Sequence, residues 1–155
     1  MKMAKIEFRT ATAADAEWIG GRLRAADRAE VEALGQIPER APADSLRWSD
    51  AAWAGLIDGE VAMVFGCGGS LLADAGIVWA LGTDLCTRHP REMLRFGRFW
   101  IRKMLELFPV LENWCDARYE GSLRWLRAIG CEVGEPEPHG PNRALFCKLT
   151  IRKEA

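Results

Sequence analysis

The chain has 155 residues, 49% hydrophobic and 28% charged, with 21 basic against 22 acidic side chains and a formal charge of -1. That length makes one domain, residues 1–155, able to bury a core without staples. The composition excludes disorder, and the charge balance argues against wholesale affinity for nucleic acid or membrane. Five cysteines, at 67, 86, 115, 131 and 147, form no CxxC pair, which fits reduced intracellular thiols better than a disulfide framework or a zinc site. Two histidines, His89 and His139, cannot build a His-rich metal centre. The N-terminal MKMAKIEFRTA lacks a signal-peptide core, and no stretch reaches membrane-spanning length. A soluble cytoplasmic protein without a metal is expected. Seven tryptophans against one tyrosine are scattered along the chain, which suits packing rather than a stacking platform.

Lys5 to Arg9 alternates polar and apolar residues, the pattern of a half-buried strand. Thr12 is placed to cap a following helix, whose early carboxylates Asp15 and Glu17 suit the helix dipole. Gly20-Gly21 marks a bend. Arg24, Asp27 and Glu30 follow at three-residue spacing on one side of a helix continuing to about Leu34, and read as a solvated ion-pair ladder. Gly35 to Pro42 is breaker-rich, and Ala43 to Asp50 forms a short helix. Asp58-Gly59 between the apolar runs Trp53–Ile57 and Glu60–Phe65 predicts a two-residue hairpin. Gly66-Cys67-Gly68-Gly69-Ser70 then reads as a loop, with neither P-loop nor dinucleotide spacing.

Gly76 to Phe108 organises the rest. Ile77-Val78-Trp79-Ala80-Leu81 suits the middle of a sheet. A polar turn comes next, with Thr83, Asp84, Thr87, Arg88 and His89, and Pro90 stands where a helix takes its first residue. Such a strand–turn–helix aims unpaired N–H groups at one spot, a natural anion site. The helix runs from about Pro90 to Phe108, with Arg91, Arg95, Arg98, Arg102 and Glu106 on one stripe and Met93, Leu94, Trp100, Ile101, Met104 and Leu105 opposite, so it lies on a sheet. Pro109 ends it. Leu111 to Ala117 reads as a strand, Ser122 to Ile129 as a helix stopped by Gly130, Cys131 to Pro141 as loop with one short strand, and Ala144 to Arg152 as the last strand.

The run Tyr119-Glu120-Gly121-Ser122-Leu123-Arg124-Trp125-Leu126-Arg127-Ala128-Ile129-Gly130-Cys131 resembles the segment N-x-x-A-x-x-L-Y-x-x-x-G-F of GNAT N-acetyltransferases. A narrower resemblance covers nearly the whole chain. It is to the GNAT-like internal virion proteins of short-tailed phages and prophages, carried by Ala26–Val31, Asp58-Gly59, Val78–Asp84, Arg88-His89, Met93–Arg95, Leu111–Trp114, Asp116–Arg118 and Arg124–Leu126 with Gly130. The resemblance implies an α/β (α+β) fold with a central mixed, mostly antiparallel sheet of about six to seven strands flanked by helices. It also implies acetyl-CoA as cofactor and a small-molecule amine or protein as acceptor.

The departures are specific. Such enzymes hold the CoA pyrophosphate with R/Q-x-x-G-x-G/A; aligned from Arg88, the glycine positions are Arg91 and Met93. The tyrosine that serves such enzymes as general acid falls on Leu126, and the initial asparagine on Tyr119, whose hydroxyl is a substitute acid. Acyl transfer needs a base and charge stabilisation. Asp84 is the first base candidate, with Glu112 and Asp116 behind it, and His89 titrates near neutrality. Thr87, Arg88, His89 and Arg91 are the candidate cofactor-binding residues, the arginines meeting phosphate by charge. Two functions are consistent with this: an acyltransferase using acyl-CoA, or a catalytically inactive phage virion or protein-binding module that has lost CoA. Nucleic-acid binding through the arginine stripe is the least favoured.

Overall fold

The computed structural model describes residues 3–69 and 74–154. Ser70, the end of the expected glycine loop, lies outside the described residues. In chain order the elements are β1 (Ile6–Thr10), α1 (Ala13–Gly20), α2 (Ala25–Ala33), α3 (Ala41–Trp48), β2 (Ala51–Ile57), β3 (Glu60–Gly68), β4 (Ala75–Gly82), α4 (Asp84–Arg88), α5 (Pro90–Leu105), β5 (Val110–Asp116), α6 (Glu120–Ala128), β6 (Glu132–Val133), β7 (Glu137–His139) and β8 (Ala144–Arg152). They form one mixed sheet in the order β1-β2-β3-β4-β5-β8-β6, with β7 also on β8. Every pairing is antiparallel except β4 with β5. The eighth strand, beyond the six or seven expected, arises because the proline-rich segment after α6 meets β8 twice, as β6 and as β7.

Local chemistry accounts for most boundaries. Thr12 caps α1 in a capping box with Asp15, and the Asp15 carboxylate also grips Arg9 at 2.5 and 2.8 Å. The Asp58-Gly59 turn takes positive φ at both residues, 48° and 83°, the geometry of a type I′ hairpin. The expected loop at Gly66–Gly68 is instead the end of β3. A Cβ on Gly66 would stand 2.3 Å from the Ala51 carbonyl oxygen, and one on Gly68 would stand 2.7 Å from that of Trp48. Those glycines admit close backbone approach within a sheet.

The polar turn after β4 also differs from expectation: it is a helix of its own. The Thr83 hydroxyl accepts the Leu85 N–H at 3.3 Å and caps α4. Nothing in Asp84–Arg88 breaks a helix until Pro90 forces His89 out of helical geometry (φ -128°, ψ 59°). Pro90 then opens α5.

Two layers cover the sheet. On one face α5 brings Ile101, Met104 and Leu105 against Phe65, Cys67, Leu111 and Ile151. On the other, Ile19 of α1 packs on Ala54, Val64 and Trp79. Burying side chains of this size contributes about 1.5–3 kcal/mol each. The stripe Arg91, Arg95, Arg98, Arg102 and Glu106 faces solvent. Among the described residues, no helix is long and apolar enough to cross a membrane, and no group of three or more His, Cys, Asp or Glu is placed to hold a metal.

Candidate active site

The site begins where β4 and β5 part. They pair through three residues only, Ala75 with Val110, Gly76 with Leu111 and Ile77 with Glu112. Beyond that, β4 continues to Gly82 and β5 to Asp116 without pairing to each other, each paired only with its outer neighbour, β3 or β8. The backbone groups facing the wedge need other partners, since an unpaired buried N–H or carbonyl is costly. The Asn113 side-chain amide donates to the Val78 carbonyl and stitches the narrow end.

Helix α2 completes the wide end. The Gly82 N–H donates to Asp27 Oδ2 at 2.8 Å, and the Asp116 N–H to Glu30 Oε2 at 3.0 Å. Arg24 Nε holds Asp27 Oδ1 at 2.9 Å, and Arg24 Nη2 reaches Ser122 Oγ on α6 at 3.1 Å. Residues expected to form a solvated ladder therefore close the wedge. The three-residue spacing was the available signal, because it puts all three on one helix face. Burial pushes the Glu30 carboxyl up to about 7. The Asp116 N–H opposes that rise, while the charges of Asp27 and Asp116 add to it.

A largely apolar cavity of about 140 Å³ passes through the sheet at this wedge, with Asp27 and Glu30 on its α2 side and residues of α5 and α6 on the other. It adjoins an outer cleft of about 520 Å³ lined by Gly82, Cys86, Thr87, Pro90, Tyr119 and Gly121 among others. That volume is within the range of small-molecule sites. Two helix N-termini border this cleft and neither has a side-chain cap: α6 through Glu120 and Gly121, and α5 through Pro90, which has no N–H, so α5 acts on the cleft through its dipole. A Cβ on Gly121 would meet nothing within 4 Å, so the first turn of α6 is open to a ligand. The cleft thiol, Cys86, is no nucleophile: burial pushes it up to about 12, and its Sγ donates to the Ala62 carbonyl at 3.2 Å.

The residues singled out from sequence divide accordingly. Thr87 and Tyr119 both line the cleft. Asp84, Arg88 and Arg91 are exposed and His89 half-buried, and none of the four is among the lining residues. Glu112 sits at the closed end of the wedge, 3.9 Å from Lys148 Nζ. Asp116, 1% exposed, is clasped by Arg118. Leu126 lines the inner cavity and offers no proton. The residues that sequence reasoning missed are Arg24, Asp27, Glu30, Gly121 and Ser122.

No protein-family model matches the chain, and no curated protein matches it. Solved structures do. A protein of Acinetobacter baylyi described as an acetyltransferase superposes with TM-score 0.71 at 13% identity, covering 98% of this chain and 95% of that one. The aminoglycoside acetyltransferase AAC(6')-Ib, in complex with coenzyme A, gives 0.69 at 11% identity over 96% and 95%. The ribosomal-protein-S5-alanine acetyltransferase of Vibrio fischeri gives 0.65 at 11% over 99% and 98%. The fold is that of the GNAT acetyltransferases.

Proposed function

We propose that the chain is a GNAT-fold N-acyltransferase of phage or prophage origin, moving an acyl group from acyl-CoA to an amine of a small molecule or protein. One observation carries this reading: two uncapped helix N-termini border a cleft that adjoins the β4–β5 wedge. Helix N-termini attract phosphate through free N–H groups and the helix dipole. The glycines that resemblance places at Arg91 and Met93 are absent, but Gly121 supplies an open backbone on the facing helix. Thr87 and Tyr119 add hydroxyl donors at the same cleft. The phage origin rests on the sequence resemblance alone.

Acyl-CoA would supply the acyl group as a thioester, an activated carbonyl. The chain's own contribution centres on α2. Glu30, pushed up to about 7, is poised to take the proton of an acceptor ammonium near neutral pH. Asp27 attracts the same cation, and Arg24 brings a positive charge to the wedge where negative charge builds on sulfur or oxygen. Activity through Glu30 should rise with pH through about 7, because the base works only when ionised.

The test is a calorimetric titration with CoA and acetyl-CoA, on the wild type and on Gly121→Asp. A carboxylate in the first turn of α6 should hold or slightly raise thermal stability, since it suits the dipole. It should weaken CoA binding at least tenfold by repelling phosphate. A second reading has its own support: Asp27 and Glu30 already satisfy the N–H groups of the wedge, so the fold is complete without a ligand. In that reading the chain is an inactive GNAT-derived module that binds virion proteins. Absence of heat up to millimolar CoA and acetyl-CoA would favour it and overturn the acyltransferase.

A further inference from the structure

The inner cavity does not stop at the wedge. It extends beneath α5 under four neighbouring strands, β3, β4, β5 and β8, and its walls there include Met63, Phe65, Val78, Trp100, Ile101 and Met104. Adjacent strands lie about 4.8 Å apart, so three steps span roughly 14 Å. A volume of about 140 Å³ drawn out over that distance is a narrow channel. Protein interiors pack without voids of this size as a rule, and the walls beneath α5 are chiefly aliphatic and aromatic.

We infer that this channel receives the acyl chain of the donor, and that the preferred donor is a thioester longer than acetyl, of medium chain length. The inference rests on the acyltransferase reading, because it places the thioester in the wedge. An engineered apolar cavity of about 150 Å³ holds benzene, so 140 Å³ has room for about six carbons. The two-carbon acetyl group would leave most of it empty. Two further observations support a donor that reaches inward. The channel adjoins the outer cleft, with which it shares the lining residues Met63, Ala80, Met93 and Trp125. The indole N–H groups of Trp100 and Trp125, both lining the channel, are buried without a partner, and a carbonyl oxygen carried in by the donor would be an acceptor for one of them.

Calorimetry with CoA, acetyl-CoA, hexanoyl-CoA and octanoyl-CoA on the intact chain tests this. Hexanoyl-CoA should bind at least tenfold tighter than acetyl-CoA, the increment expected when a few methylenes leave water. Val78→Phe, which narrows the channel from β4, should bring hexanoyl affinity down to that of acetyl. The wild-type ranking stands by itself if that variant does not fold. Acetyl-CoA binding as tightly as hexanoyl-CoA would overturn the inference and leave the acyltransferase reading intact. Failure of every thioester and of CoA to bind would overturn both.

Discussion

At the scale of single residues, Glu30 is the most consequential side chain. Its pKa rises from an ordinary 4.5 to about 7. Between those values the folded chain binds a proton that the unfolded chain releases, so stability falls as pH rises through this window. The loss is at most about 3 kcal/mol. Glu30→Gln keeps an oxygen for the Asp116 N–H and carries no charge to bury. The melting temperature of the variant, relative to wild type, should therefore rise between pH 5 and pH 8, while any transferase rate at pH 8 falls a hundredfold or more, in line with loss of a general base. Glu30→Ala should behave differently, since it orphans the Asp116 N–H and costs about 1–3 kcal/mol. The sequence showed these residues and their common face but not what the face would meet. A charged helix face normally turns to water. Here it turns inward because two strands diverge and leave N–H groups that need acceptors, a tertiary fact with no local signature.

At the scale of elements, patterns of period two and three-to-four were legible. The Asp-Gly hairpin, the Thr12 cap, the amphipathic α5 and the final strand all lie close to where composition and spacing place them. What local pattern misjudged were glycines and polar turns. Gly66 and Gly68 looked like loop residues because glycine marks loops on average. In the sheet they clear space for the backbone of β2 and the end of α3. Gly66→Ala should lower the unfolding midpoint in urea, at a cost of about 1–3 kcal/mol, whereas alanine in a true loop would be neutral. The turn after β4 was illegible as a helix because five residues are too few to show a periodic signal, and a capping threonine such as Thr83 is equally at home in a turn.

At the scale of the whole molecule, fold and chemistry were unequally legible. Most of the order of strands and helices was written in the chain, and of what the resemblance implied the superposed structures bear out the GNAT fold. The site was not, because it assembles from α2, β4, α5, β5 and α6, which are separated by as many as 98 residues, the interval between Arg24 and Ser122. Long-range convergence of this kind leaves no spacing to read.

The three-residue pairing of β4 with β5 also divides the molecule. On one side lie β1 to β4, joined by antiparallel ladders; on the other, β5 to β8. Apart from the apolar core that α5 lays across both, the two blocks share a short ladder, one side-chain stitch and the carboxylates of α2. Such seams define cooperative units that open separately. In native-state hydrogen exchange, the amides of Gly82 and Asp116 should exchange by an opening less costly than that of Val64 or Leu149, deep in either ladder. A ligand seated in the wedge would slow Gly82 and Asp116 first, so occupancy of the site would be written into the rigidity of the sheet itself.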